Sequence, residues 1–365
     1  MNLLYILQQS IYNNKGKWLT SDSNINMMTG MLREMTSLTN WNFYILIAKE
    51  KDFADIESYD EIFQHPNVHF IGYDFPVDAF LNRQNFDVKK FYRMWKSLPE
   101  IDVVWNNITE LSRNIKTYLV REKSNAKLIT TCYWLDAPEI GQEKVDRSIS
   151  YDWRQFDGFE CSDLAVFTCS STAEAWRRNA AAKFRFGYIS KISMKSTIWD
   201  FGYSQSELDS YSVPKELYNE KGDKKTILFL NRLSGINYTH HQEFIEALQI
   251  LKSLRDDWNV VMTNPSQKFT LKELQEYVPN LWPYKNGGAL TREEYVRLLQ
   301  LGDISVHLFE KELYGGCSNV ESLAMDNISI MPKINEYKKR AKRNYPGFIC
   351  ISYHFTYCIC SVFDA

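Results

Sequence analysis

The sequence predicts an α/β protein with two successive parallel-sheet domains, and three observations carry that prediction. Short β-rich apolar runs alternate with amphipathic segments along the chain, the pattern of βα units. Apolar density falls between Asp200 and Lys225 and the alternation then restarts, so 1–200 and 226–365 read as domains and 201–225 as a linker. The length, 365 residues, suits two domains of ordinary size.

The strands expected in the first half are Leu3 to Leu7, Phe43 to Ala48, Val68 to Gly72, Val103 to Trp105, Leu128 to Cys132 and Leu164 to Cys169. Helical stretches such as Asn26 to Thr36 and Leu111 to Glu122 lie between them. In the second half a strand at Thr226 to Asn231 leads to a helix in which Phe244, Leu248 and Leu251 recur at near-helical spacing. Trp258 to Thr263 is the next strand, followed by helices at Lys272 to Val278 and Tyr295 to Leu301. Ile304 to Leu308 is a strand, Ser318 to Met325 a helix, and Ile328 to Met331 and Gly347 to Ile351 complete the series.

Composition excludes several classes. With 44% hydrophobic and 24% charged residues the chain is neither disordered nor fibrous. A formal charge of −2 provides no global cationic field for nucleic acid or anionic lipid. The start lacks a basic region followed by a long apolar run, and no stretch reaches the ~18 apolar residues of a membrane helix, so a cytoplasmic protein without a transmembrane segment is expected. Seven cysteines without paired CxxC spacing read as reduced thiols rather than a disulfide or zinc framework. Asp-x-Asp, HExxH, GxxxxGK, GxGxxG and GxSxG do not occur, which argues against zinc hydrolase, P-loop, dinucleotide and serine-hydrolase chemistry.

Two constellations carry chemistry. Leu228-Phe-Leu-Asn231-Arg232-Leu-Ser-Gly235 is a buried strand ending in Asn and Arg before a helix that begins near His240. Ligands of α/β proteins sit at such strand ends, where an Arg clamps phosphate in bidentate fashion; the plainer reading is an Arg that caps the sheet. In Glu312-Leu-Tyr-Gly315-Gly316-Cys-Ser318-Asn319-Val-Glu321, paired glycines lead from a strand into a helix whose first turn offers N–H groups to an anion. Glu321, about one turn in, is placed to accept hydrogen bonds from ribose hydroxyls; the alternative is an ordinary N-cap with a capping-box glutamate.

With these two motifs, Val278-Pro-Asn, the connector Leu290-Thr-Arg-Glu-Glu-Tyr-Val-Arg-Leu-Leu-Gln-Leu-Gly-Asp303, the helix Glu321-Ser-Leu-Ala-Met325 and the strand end Ile330-Met-Pro332, the second half resembles the nucleotide-sugar glycosyltransferases of the GT-B fold. The likeness is to the retaining group called glycosyltransferase family four and runs from Thr226 to about Pro332. It implies two Rossmann-like domains facing across a cleft. It further implies metal-independent, retaining transfer of a sugar from a nucleoside-diphosphate sugar to a saccharide or glycoconjugate. The family's lysine after the phosphate-binding Arg is replaced here by His240 or His241, and the position of its first glutamate falls on Leu313, beside Glu312.

In such enzymes the amino-terminal domain supplies the acceptor site. The resemblance therefore points to Asp136 near the reacting centre and to Tyr133, Trp134, Trp153 and Arg154 for acceptor binding, although a turn aspartate and core or helix-packing aromatics describe the same residues. Neither a cofactor nor a metal is expected. Family members continue beyond the Pro332 strand with a closing helix, whereas the apolar run from Phe348 reads as a shortened C-terminal domain. Two alternatives follow. One is a degenerate module that binds nucleotide or saccharide without turnover. The other is a transferase acting on modified DNA bases, suggested by the cationic run Lys338 to Arg343 but not favoured by the near-neutral charge.

Overall fold

The computed structural model describes residues 1–7, 23–48, 61–73, 86–132, 151–199, 202–230, 240–263, 270–287, 290–308, 316–332 and 348–351. The chain divides into two units, Met1–Asp200 and Phe201–Ala365.

In the first unit β1 (Asn2–Ile6), β2 (Asn42–Ala48), β3 (Val68–Tyr73), β4 (Val103–Asn106), β5 (Lys127–Cys132), β6 (Leu164–Phe167) and β7 (Ser196–Ile198) form a parallel sheet in the order β3-β2-β1-β4-β5-β6-β7. A parallel strand in the middle of a sheet is covered on both faces and is apolar nearly throughout. β1 shows this: Leu3 and Tyr5 turn to one face, with Met28 and Leu32 of α1 (Ser23–Leu38). Leu4 and Ile6 turn to the other, with Phe91 and Met94 of α2 (Val88–Ser97) and Ile115 and Leu119 of α3 (Ser112–Arg121). Among the described residues the other α-helices of this unit are α4 (Tyr151–Cys161), α5 (Ser170–Lys183) and α6 (Phe186–Met194). The sequence reading passed over α2, α6 and β7; β7 is three residues long, too short to show an alternation.

The second unit begins with α7 (Gln205–Ser210) and α8 (Lys215–Lys221), then β8 (Lys225–Phe229), α9 (His241–Leu254), β9 (Trp258–Met262), α10 (Leu271–Tyr277), α11 (Arg292–Leu301), β10 (Ile304–Val306), α12 (Cys317–Ala324), β11 (Ile328–Pro332) and β12 (Phe348–Ile351). Its strands are parallel in the order β12-β11-β10-β8-β9. Phe244, Leu248 and Leu251 of α9 pack with Ile227, Phe229, Trp258 and Val260 on one face of the sheet. Leu228 and Val261 meet Leu298, Leu299 and Leu301 of α11 on the other.

The apolar-poor segment 201–225 is held to this unit by both apolar and polar contacts, with Val213 and Leu217 packed against the α11 core. Ser204 caps α7, Leu208 is buried, and the Gln300 side-chain amide donates to the carbonyls of Leu208 and Tyr211 at 3.2 and 2.7 Å. The Lys221 ammonium lies 2.7 Å from Asp303 Oδ2. A segment that turns only one narrow face inward reads as a linker, because composition registers its exposed side.

Gly302 joins α11 to β10 where a side chain has no room: a Cβ there stands 2.2 Å from Asn327 Oδ1 and 2.4 Å from Leu228 Cδ1. Gly302→Ala is expected to cost about 1–3 kcal/mol. Denaturant titration reads this as a lowered midpoint with an unchanged slope.

Candidate functional site

In the second unit the chain runs from β8 outward to β9 and then returns past β8 to β10. Connections leaving two such neighbouring strands go to opposite sides, and the crevice they open is where α/β sheets hold ligands. Phe229 is registered with Val306, so the chain leaves the sheet side by side after Leu230 and Leu308. Asn231, Arg232, Glu312 and Gly315 follow those two points in sequence and lie outside the described residues, as do Tyr133, Trp134 and Asp136.

α12 starts at the same end of the sheet. Its N-cap, Gly316, has φ 69° and ψ 145° and provides no side chain to cap the helix. That conformation is strained for any residue with a Cβ, which gives the second glycine of the pair a backbone reason. Gly316 itself therefore brings no side-chain oxygen to the first N–H groups of α12, as a Ser or Asp at that position would. Ser318 is half-buried and Asn319 fully buried in the first turn.

Glu321, one turn further, is 5% exposed and enters an ion cluster absent from the sequence reading. Its Oε1 lies 2.7 Å from Arg292 Nη2. Arg292 donates through Nε and Nη2 to both carboxylate oxygens of Glu207, each at 2.9 Å. Burial works against the Arg292 cation, and the carboxylates of Glu321 and Glu207 outweigh it, so its pKa lies above the usual value. Burial, together with the Glu321 charge and a hydrogen bond to it, also pushes the Tyr295 phenol well above its ordinary range. Arg292 carries no local signal of this role: it follows Thr291, whose hydroxyl forms a capping box with Glu294, and looks like a solvated first-turn residue.

His240 and His241 stand at the start of α9. His240 takes a left-handed conformation, φ 48°, and its Nδ1 lies 3.0 Å from Glu243 Oε1. Burial raises the Glu243 carboxyl, but its own backbone N–H and His240 bring it below the normal value. The histidine is thus oriented by a carboxylate at the end of the sheet where the β8 and β10 connections begin.

In the first unit the crossover falls between β1 and β4. Here the Asn107 side-chain amide donates to Asn24 Oδ1 at 2.9 Å in a half-buried contact, and that of Gln155 donates to Glu110 Oε1 at 3.0 Å in a buried one. This polar cluster was missed, although Trp105-Asn-Asn at a strand end is a visible signal. Trp153 and Arg154 are exposed near the start of α4, which lies toward the C-terminal ends of the strands; Trp153 meets Phe184 edge-on at 5.1 Å. Among the described residues no helix is long and apolar enough to cross a membrane, and no three His, Cys, Asp or Glu side chains converge as metal ligands.

No protein-family model matches the chain, and no curated protein matches it in sequence. Its structure does match solved structures. HepE from Anabaena, solved in complex with UDP, shares 11% identity at a TM-score of 0.67, covering 100% of this chain and 90% of HepE. Sucrose-phosphate synthase from Thermosynechococcus elongatus shares 11% at 0.64, with coverage of 100% and 89%. A glycosyltransferase from Rickettsia africae shares 15% at 0.63, with coverage of 100% and 87%. The fold is that of the GT-B glycosyltransferases, as the sequence resemblance implies.

Proposed function

We propose that the chain is a retaining, metal-independent glycosyltransferase that moves a sugar from a nucleoside-diphosphate sugar, UDP-glucose in type, to a saccharide or glycoconjugate acceptor. The observation that carries this reading is the start of α12 beside the β8/β10 crossover: a helix whose N-cap is a glycine at positive φ, followed one turn later by Glu321. The choice of nucleotide is supported by HepE, solved with UDP and with UDP-glucose.

As the bond between the anomeric carbon and the β-phosphate oxygen breaks, negative charge collects on the diphosphate. Arg232, His240 or His241 and the N–H groups from Gly316 to Asn319 stabilise it. Asn231 and Glu312 complete the donor side, and Glu321 takes the ribose hydroxyls. The acceptor oxygen bonds to the anomeric carbon from the face the phosphate leaves, and its proton passes to a phosphate oxygen. The same reading gives Asp136 a part in the reaction and Tyr133, Trp134, Trp153 and Arg154 a part in acceptor binding.

Thermal midpoints measured with UDP-, GDP-, ADP- and CMP-sugars test this reading. One donor at about 100 times its Kd is expected to stabilise the fold by about 2.7 kcal/mol, a rise of several degrees. Mass spectrometry with that donor is expected to detect slow diphosphate release. Stabilisation without release supports a binding module instead, and no response to any nucleotide sugar overturns the donor site.

A further inference from the structure

We propose that Arg292 and Glu207 are positioning residues that aim the Glu321 carboxylate at the ribose hydroxyls of the donor, an inference that rests on the donor-site reading above. Glu207 grips the Arg292 guanidinium through two parallel hydrogen bonds of 2.9 Å, which fixes its plane. The Nη2 of that oriented fork then holds Glu321 Oε1 at 2.7 Å. A second hold comes from Tyr295: its phenol donates to Glu321, and its ring centroid lies 5.6 Å from the guanidinium. The side chains of Arg292, Glu207 and Glu321 are only 14%, 16% and 7% exposed, so the arrangement is a packed one.

Stability alone does not explain such a cluster, because the desolvation of buried ions cancels much of their attraction and apolar packing serves as well. Its charge points to a ligand. Two carboxylates around one cation leave a formal surplus of one negative charge, which repels phosphate and suits neutral hydroxyl donors. Four residues earlier, about one helical turn, the N–H groups of the α12 start present the opposite sign. Phosphate-seeking and hydroxyl-seeking groups one turn apart match the order of groups in a nucleoside diphosphate. Glu207 lies on α7, in a segment whose composition gave it no role, and acts on the site through Arg292.

Calorimetric titration of the full chain with UDP and with 2′,3′-dideoxy-UDP tests the inference on wild type, Glu321→Gln, Arg292→Lys and Glu207→Gln. Wild type is expected to prefer UDP by at least about tenfold, the value of one hydrogen bond to a charged group. Glu321→Gln is expected to reduce the preference to about twofold or less. Arg292→Lys, which keeps the charge but loses the fork, and Glu207→Gln are expected to reduce it similarly while thermal unfolding remains cooperative. A merely structural role would lower the midpoint and leave the preference intact. Retention of the wild-type preference in both Arg292→Lys and Glu207→Gln, with its loss in Glu321→Gln, overturns the positioning role and spares the donor site. Retention in Glu321→Gln removes the ribose contact and the inference with it, and absence of UDP binding to wild type removes the UDP reading itself.

Discussion

Arg292→Met is expected to lower the stability of the protein by about 3–5 kcal/mol, because it leaves Glu207 and Glu321 facing each other with no cation between them. The apolar volume of the side chain is kept, so the loss reports uncompensated charge rather than a cavity. Adding Glu207→Gln to Arg292→Met is expected to recover part of the loss by removing one of the two stranded carboxylates. Denaturant unfolding of the single and double variants measures this coupling, which for residues in direct contact runs to about 0.5–3 kcal/mol. Additive effects would mean that the three side chains do not act as a cluster.

Arg232→Ala is expected to reduce the rate of sugar transfer by about 10²–10³, the cost of losing one preorganised donor to developing negative charge. The effect should fall on kcat more than on KM, since the charge on the leaving diphosphate grows as the glycosidic bond breaks. Arg232→Lys keeps a charge without the bidentate fork and should recover only part of the rate. Steady-state kinetics with the donor found by the thermal screen provide the comparison. An unchanged kcat in Arg232→Ala would return Arg232 to the role of a residue capping the sheet.

Most of the fold was legible in the sequence because parallel strands announce themselves. β1, β2, β8 and β9 are apolar runs buried on both faces, and the hydrophobic spacing of Phe244, Leu248 and Leu251 follows the helical period. The paired glycines were visible in the sequence, but it was the structure that showed a positive φ at Gly316, a local demand at the start of α12 that only glycine meets without strain. β7 and α7 were not legible, because three or six residues contain too few positions to establish a period.

The sequence by itself thus determined the α/β class and the alternation of strands and helices, and it carried the resemblance on which a donor site after β8 and β10 is proposed. Tertiary structure decided the strand order, which sets the crossover between β8 and β10, and it decided what Glu321 touches. Glu207 and Arg292 stand 85 positions apart in the chain, one in an apolar-poor segment and the other in the first turn of a capped helix. Local sequence reports propensity and periodicity within a few turns. An ion cluster assembled from three elements depends on how those elements pack, and only the folded chain brings its charges within hydrogen-bond distance.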